Sequence, residues 1–514
     1  METTIAEDLG LNGPPRGSLR DAPLAMDEQS FRSAAHELVD VVADFLSSLS
    51  SRPVTRGESP HEIRALLDAQ AGLPEEGTDA SRLLRATAEL LFDHSLFNGH
   101  PHFFGYITSS PAPIGMLGDF LAAAVNANVG AWRLSPVATE IEAQTVRWIA
   151  DLVGYPAGCG GLMVSGGNVA NSVGLLASRV AAADWELRKE GFGAAVARRL
   201  CVYASVETHT WIEKATDLSG IGTESIRWIP TNDDLRMDTA ALQDAIATDR
   251  AAGNVPMAVV GTAGSVATGT VDPLLEMAHI CRKEGVWFHV DGAYGGFAAA
   301  VPGSPPDLAA LAMADSVALD PHKWLYAPLE AGCLLVRHAE DLRNAFSYHP
   351  PYYHFGQEAT DYHDFGPQNS RGFRALKVWL ALRQAGRSGY VKMIGDDIRL
   401  SRRLFALVDA HPSFDALTQS LSIATFQYVP TDLRPVQDSA FVGEYLNRLN
   451  EALLERIQTS GLIFVSNAVV RGRYALRPCI VNFNSTLADV EALPEIIERM
   501  GRDVDASLRS IIRN

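Results

Sequence analysis

Lys323 stands inside the pentapeptide Asp320-Pro321-His322-Lys323-Trp324, directly after the apolar run Asp315–Leu319. A lysine flanked by Pro321, His322 and Trp324 at the end of a buried type of strand is partly removed from water. Desolvation lowers its proton affinity and makes it a nucleophile toward carbonyl carbon, the chemistry of imine formation. Asp291 closes a second apolar run, Val286–Val290, and precedes the small residues Gly292 and Ala293. It is either a strand-terminal cap or a buried carboxylate that holds a cationic ring nitrogen, its small neighbours letting a flat ring approach the backbone. Ser165-Gly166-Gly167-Asn168 opens a segment with helically spaced Val173, Leu176, Ala177 and Val180. The free N–H groups at such a helix start favour an anion, phosphate above all, while a plain turn uses the same residues. The stretch lacks the Gly-Lys-Ser/Thr ending of a Walker loop and is not GxGxxG. His209, which follows the run Leu200–Ser205, is either a satisfied loop histidine or a ring stacked on a flat cofactor. A lone lysine is usually solvated; in company with Asp291 and the glycine loop, Lys323 reads better as a cofactor-binding lysine.

These residues need a scaffold that brings strand ends together. From about residue 100 to 386, short β-rich runs alternate with helical stretches: Leu200–Ser205, Ser225–Pro230, Met257–Thr262, Val286–Val290, Asp315–Leu319 and Gly332–Arg337. Such alternation predicts a mostly parallel sheet covered on both faces, with ligands beyond the carboxyl ends of its strands. Both the Asp291 and the Lys323 segments fall at such ends. Upstream, residues 1–28 read as a disordered, Gly/Pro-rich tail, and 29–99 as amphipathic helices that need a further surface to bury against. One carries Phe31, Ala35, Leu38, Val42, Phe45 and Leu49 in a single stripe; a second opens with a capping box, Ser59 to Glu62; a third covers 79–96. Residues 387–514 read as a smaller α+β domain, with a helix over 440–459 between β runs near 423–429 and 474–483.

A length of 514 residues with 47% hydrophobic residues allows a large core and several domains. The net charge of −18, without a basic run, argues against a nucleic-acid surface. Five scattered cysteines without CxxC spacing suggest neither a zinc site nor a disulfide framework, and fit reduced thiols in the cytoplasm. The N-terminus lacks an apolar signal core. The apolar stretch 114–132 contains Asp119, Asn126 and Asn128, which argues against a membrane span.

The glycine loop, the strand-end aspartate and the Asp-x-His-Lys lysine together make a pyridoxal phosphate site, and the chain resembles the aromatic-L-amino-acid decarboxylase group of pyridoxal-phosphate-dependent (group II) amino acid decarboxylases. The resemblance is carried by an ordered series over roughly residues 30–500: HPHFFGY (100–106), SPVATEIE (135–142), SGGNVAN (165–171), THTWIEKA, HVDGAYGG, DPHKW, FRALKVW (373–379) and ALRPCIVN (475–482). It implies an α/β fold of the pyridoxal-phosphate-dependent transferase (aspartate aminotransferase-like) type, a homodimer, and decarboxylation of an L-amino acid to its amine. Lys323 would hold the cofactor covalently, Asp291 would pair with the pyridinium nitrogen, and His209 and Ala293 would lie against the two ring faces. Gly167, Asn168 and His322 would contact the phosphate, and Ser265 would lie near the cofactor. On a loop over 347–366, Tyr352, with Tyr353 as its rival, would deliver a proton to the substrate carbon. Tyr106, Ser109, Asn128, Gly130 and Arg477 would face the substrate.

The chain departs from the family pattern where Asn168 replaces Ser or Thr in the phosphate loop, at Asp320, and at Gly372, which leaves Arg371 without a neighbouring arginine. Ile107, Asn128 and Gly130 stand where aromatic-specific enzymes carry bulkier residues; Gly130 is expected to leave room and Asn128 to add polarity, for a large apolar or aromatic substrate. Two other activities are compatible with the scaffold: decarboxylation coupled to oxidative deamination, giving an aldehyde, and a catalytically silent binding subunit. Retention of Lys323, Asp291 and His209 argues against the second.

Overall fold

The computed structural model describes residues 22–192, 199–348 and 359–513. The chain forms two compact units, one of residues 1–52 with 58–95 and the other of 53–57 with 96–514. The expected tail lies outside the described residues as far as residue 21.

The first unit holds helices α1 (Glu28–Ser48), α2 (Pro60–Leu66) and α3 (Ala80–His94). The capping box at α2 is formed: the Ser59 hydroxyl accepts from the Glu62 N–H and the Glu62 carboxylate accepts from the Ser59 N–H. Asp79 caps α3, accepting from Arg82 N at 3.0 Å. Phe45 of α1 stacks on Phe92 of α3 at 4.0 Å. Phe31 and Val39 of α1 and Leu83 and Leu91 of α3 stay more than half exposed, so these helices leave much of their apolar surface uncovered.

The second unit contains two sheets. A short strand, β1 (Phe103–Phe104), precedes helices α4 (Pro113–Val125) and α5 (Pro136–Val153). The large sheet follows, with β2 (Gly160–Val164), β3 (Leu200–Ser205), β4 (Ile226–Ile229), β5 (Val255–Thr262), β6 (Trp287–Asp291), β7 (Ser316–Leu319) and β8 (Gly332–Val336) in the order β2-β8-β7-β6-β5-β3-β4. Every pairing from β7 through β4 is parallel, while β8 runs antiparallel to both β7 and β2. Two reversals leave β2 pointing the same way as β7, so the carboxyl end of β2 opens onto the same edge as those of β3, β5, β6 and β7. Burial explains the composition: β2, β3, β7 and β8 are buried at every position, as expected for strands covered on both faces. The covering helices include α6 (Gly167–Ala182), α7 (Trp211–Leu218), α8 (Thr239–Ala251) and α9 (Leu274–Glu284).

The remaining chain builds the second sheet from β9 (Phe414–Ser420), β10 (Ile423–Tyr428), β11 (Phe464–Val470) and β12 (Arg473–Arg477) together with β1. Its core is aliphatic and aromatic, packed by α10 (Ala375–Asp409), α11 (Ala440–Thr459) and α12 (Leu487–Arg513). The domain boundary expected at 386 falls within α10, at Gly386, whose φ of 63° interrupts the helix, and both sheets belong to one compact unit. Among the described residues no helix is long and apolar enough to cross a membrane.

Candidate active site

The carboxyl edge of the large sheet gathers segments distant in sequence. β2 ends at Val164, and the chain turns through Ser165 and Gly166 into α6, whose start no side chain caps. The loop is pressed against its neighbours. A Cβ on Gly167 would stand 2.7 Å from Asp320 Oδ2 and 2.9 Å from Ala293 Cβ, and one on Gly166 would stand 3.1 Å from His322 Cε1. Gly332, at the start of β8, lies so close that its Cβ would meet Gly166 Cα at 2.5 Å. The glycines are therefore required by close approach, and three expected site segments meet at this loop.

Lys323 lies on a single helical turn, Pro321–Trp324, directly after β7. Its Nζ is 3.1 Å from Asp320 Oδ2, and its side chain is 19% exposed, so the amine is shielded yet open on one side. His322 Nε2 is 3.5 Å from the same oxygen, and its Nδ1 accepts from Ala331 N. Burial pushes the His322 imidazole below its usual range, against the pull of Asp320. The other face of the turn is packed. Trp324 Nε1 and Tyr326 OH donate to Asp397 Oδ2 at 2.9 and 2.8 Å, and burial pushes the Asp397 carboxyl up to about 7.

Asp291 ends β6 and is 8% exposed. Its Oδ1 accepts from Ala293 N at 3.1 Å, and its Oδ2 accepts from Trp211 Nε1 at 2.8 Å. His209 is exposed at the rim, close enough to Asp291 and Lys323 for both charges to act on it; desolvation lowers its proton affinity overall. Ala293 is buried, whereas Asn168 is exposed in the first turn of α6. Ser265 is bonded to Thr268 through their hydroxyls at 2.9 Å.

The residues expected to face substrate are scattered in role. Tyr106 is half-exposed with φ 49°, its N–H held by Ser466 Oγ. Ser109 is buried and donates to the His322 carbonyl at 2.8 Å. Arg477 is 3% exposed, donates to the carbonyls of Val266 and Asn467, and has no carboxylate partner among the described residues; burial lowers its proton affinity. One expectation fails on geometry. Gly130 does not open space, because the Asn369 carbonyl oxygen lies 2.1 Å from where its Cβ would be. Asn128 Oδ1 accepts from Gly130 N and Arg371 N, each at 3.0 Å, which leaves its amide N–H groups as the polarity it could offer. Arg371 is buried against Glu142, with further bonds to the Met163 and Val129 carbonyls, so it needs no second arginine. Tyr352 and Tyr353 lie outside the described residues.

Residues 60–428, more than half of the chain, match the family model described as the pyridoxal-dependent decarboxylase conserved domain. The chain belongs to the pyridoxal-dependent decarboxylase family. It is 29% identical over 489 residues to an aromatic-L-amino-acid decarboxylase of Bacillus atrophaeus, covering 94% of this chain and 98% of that protein. It is 30% identical to a phenylacetaldehyde synthase of a Rosa hybrid cultivar, covering 90% and 92%. A solved structure of Oryza sativa TDC with PLP and tryptamine matches with a TM-score of 0.86 at 28% identity, covering 94% of this chain and 99% of that one. The fold is that of the pyridoxal-phosphate decarboxylases, and family membership makes the chain a carboxy-lyase that acts on an amino acid with pyridoxal 5'-phosphate.

The decarboxylase site fits that cofactor on its own geometry. The uncapped α6 start suits a phosphate, the glycine contacts leave backbone as its lining, and the buried Asp320 Oδ1 and Thr262 Oγ1 have no hydrogen-bond partner among the described residues. Thr262 pairs with Asp291 across β5 and β6. Sequence reading missed Thr262 and Trp211. Thr262 ends the expected strand 257–262, and that position was the available signal; Trp211 lies two residues after His209.

Proposed function

We propose that this decarboxylase converts a large apolar or aromatic L-amino acid to its amine and carbon dioxide. The observation that carries the reading is the shielded Lys323 amine, 3.1 Å from Asp320 and beside the glycine cradle. Lys323 would hold the cofactor, and the α6 start through Gly167 and Asn168, together with His322, would hold its phosphate, with Ser265 as a further contact. Asp291 would pair with the ring nitrogen, and His209 and Ala293 would lie against the ring. When bound, the pyridoxal ring is an electron sink for the pair left on the substrate carbon as carbon dioxide departs. Asp291 would keep the ring nitrogen cationic, which would deepen that sink. Arg477, a buried cation without a carboxylate partner among the described residues, would orient the substrate carboxylate, with Tyr106 and Ser109 as further substrate contacts. The proposed proton donor is Tyr352. Gly130 opens no space, so the preference for an aromatic side chain rests on the likeness to aromatic-L-amino-acid decarboxylases.

The similarity to the Rosa phenylacetaldehyde synthase favours one second reading, oxidative conversion to an aldehyde. Retention of His209 and a loop tyrosine supports the amine instead. A panel of L-amino acids assayed for amine, carbon dioxide, ammonia and peroxide decides: amine equimolar with carbon dioxide is expected, and ammonia and peroxide rising in step with carbon dioxide would overturn it. The exposed apolar residues of α1 and α3, and Leu117, Phe120 and Leu121 on α4, support a homodimer, which sedimentation tests. The five unpaired cysteines suit a reducing cytoplasm.

A further inference from the structure

Trp211 is 1% exposed and begins α7, two residues after His209. It uses both of its N–H groups on the site. Its backbone N–H donates to His209 Nδ1 at 3.1 Å, and its indole N–H donates to Asp291 Oδ2 at 2.8 Å. The first bond makes Nδ1 an acceptor, so in the neutral ring the proton sits on Nε2. The second is the only side-chain hydrogen bond to the Asp291 carboxylate among the described residues; the other is the Ala293 backbone bond.

The wall behind this bond is neutral. The Trp211 ring meets His289 edge-on at 5.7 Å. Trp287 Nε1 donates to Ser316 Oγ at 2.8 Å, which leaves the Ser316 hydroxyl to donate to His289 Nδ1 at 2.7 Å, and His289 Nε2 to donate to Asn171 Oδ1 at 2.8 Å. Burial lowers the His289 imidazole to about 4, so it carries no charge near neutrality. Asn171 lies on α6, so packing and hydrogen bonds connect the glycine-loop helix, Asp291 and His209 through Trp211.

We propose that Trp211 is a positioning residue that fixes the Asp291 carboxylate and, through its backbone, the tautomer of His209, so that the ring-nitrogen partner and the ring-face histidine are set by one side chain and its amide. The inference rests on Asp291 as the ring-nitrogen partner. A hydrogen bond to a carboxylate favours its ionised form. Without the indole N–H, Asp291 takes a larger share of the proton between itself and the ring nitrogen, and the electron sink weakens. Trp211→Phe removes that N–H while keeping the bulk and the amide bond to His209.

The test labels the full-length protein with 5-fluorotryptophan, which gives a fluorine signal for each of the eight tryptophans. W211F identifies one signal, and in cofactor-free protein D291A is expected to move that same signal. With pyridoxal phosphate loaded, W211F should lower kcat per mole of bound cofactor about tenfold, the scale of one charge-assisted hydrogen bond, with KM changed less than about twofold. A merely structural role would lower the melting temperature and the cofactor content but not kcat per bound cofactor. An unmoved signal in D291A, or wild-type kcat per bound cofactor in W211F, overturns the role of Trp211. Should W211F fail to fold, D291A alone decides, since no tryptophan signal then moves if the bond is absent. Wild-type protein that takes up no pyridoxal phosphate would instead sink the reading of Asp291 itself.

Discussion

The two ends of the large sheet use the same residue types in opposite ways. At the amino end, Asp249 is saturated: its oxygens accept from Tyr203 OH at 2.9 Å, Arg227 Nε and Nη2 at 2.9 and 2.8 Å, and Asn254 Nδ2 at 2.7 Å. Asp315 there accepts from Phe288 N at 2.7 Å. At the carboxyl end, Asp320 Oδ1 and Thr262 Oγ1 are buried without a partner among the described residues, and α6 starts without a side-chain cap. Leaving buried polar atoms unsatisfied costs about 1–3 kcal/mol each, and a fold tolerates that where a ligand completes the set. The saturated end holds the sheet; the unsaturated end is reserved for chemistry.

That contrast can be broken in order of expected effect. Lys323→Ala should lower amine production by on the order of 10⁴-fold or more, as removal of a covalent catalytic group does, and should abolish the visible absorption that borohydride removes from the wild type. Residual turnover within tenfold of wild type would show that Lys323 is not the anchor. Gly167→Val should weaken pyridoxal phosphate binding about 30-fold, because its side chain would press into Asp320 and Ala293; equilibrium dialysis reads this, and unchanged affinity would mean that the cradle lies elsewhere. Asp249→Ala, at the other end, should cost about 2 kcal/mol of stability by orphaning Tyr203 and Asn254, while kcat per bound cofactor stays at the wild-type level. A matching fall in kcat would erase the division between the ends.

The last effect is a slope in stability with pH. Burial holds the folded Asp397 carboxyl up at about 7, above the ordinary carboxylate range, so between about pH 4 and 7 the folded state holds a proton that the unfolded chain has released. Its contribution is complete below about pH 4 and is lost as pH rises to about 7, so stability falls across that window. Asp397→Asn should flatten this part of a denaturation-midpoint profile; an unchanged profile would mean that Asp397 is ionised in the fold.

Much of the scaffold was legible because burial leaves a direct signature. The six runs from Leu200 to Arg337 became β3 to β8, their continuous apolar character reflecting cover on both faces. The Ser59–Glu62 box was legible because a cap is a local interaction. β2 was missed since its Gly160 and Gly161 weaken a strand signal, although a Cβ on Gly161 would press on the Leu334 carbonyl of β8. The boundary placed at 386 coincides with the break at Gly386, where two helical stretches meet across a kink. Within the site, residue types marked Lys323 and Asp291, but Trp211 donating to Asp291 joins positions 80 apart. Gly130 reads as an open position in the sequence because a missing side chain says nothing about which backbone lies opposite, here Asn369.

The contact of Gly166 with Gly332 has a consequence for how such a chain can change over generations. A Cβ on Gly332 would meet the Gly166 backbone there, so Gly332 has neither a smaller residue to retreat to nor room for a larger one. The cradle is closed to gradual drift, and novelty in what the enzyme accepts must be recruited from parts of the chain that would meet the site by side chain alone, as proposed for Tyr106, Ser109 and Arg477. The holding of the cofactor and the choice of substrate are thereby left to separate stretches of the gene, and selection can rework one while the other stays still.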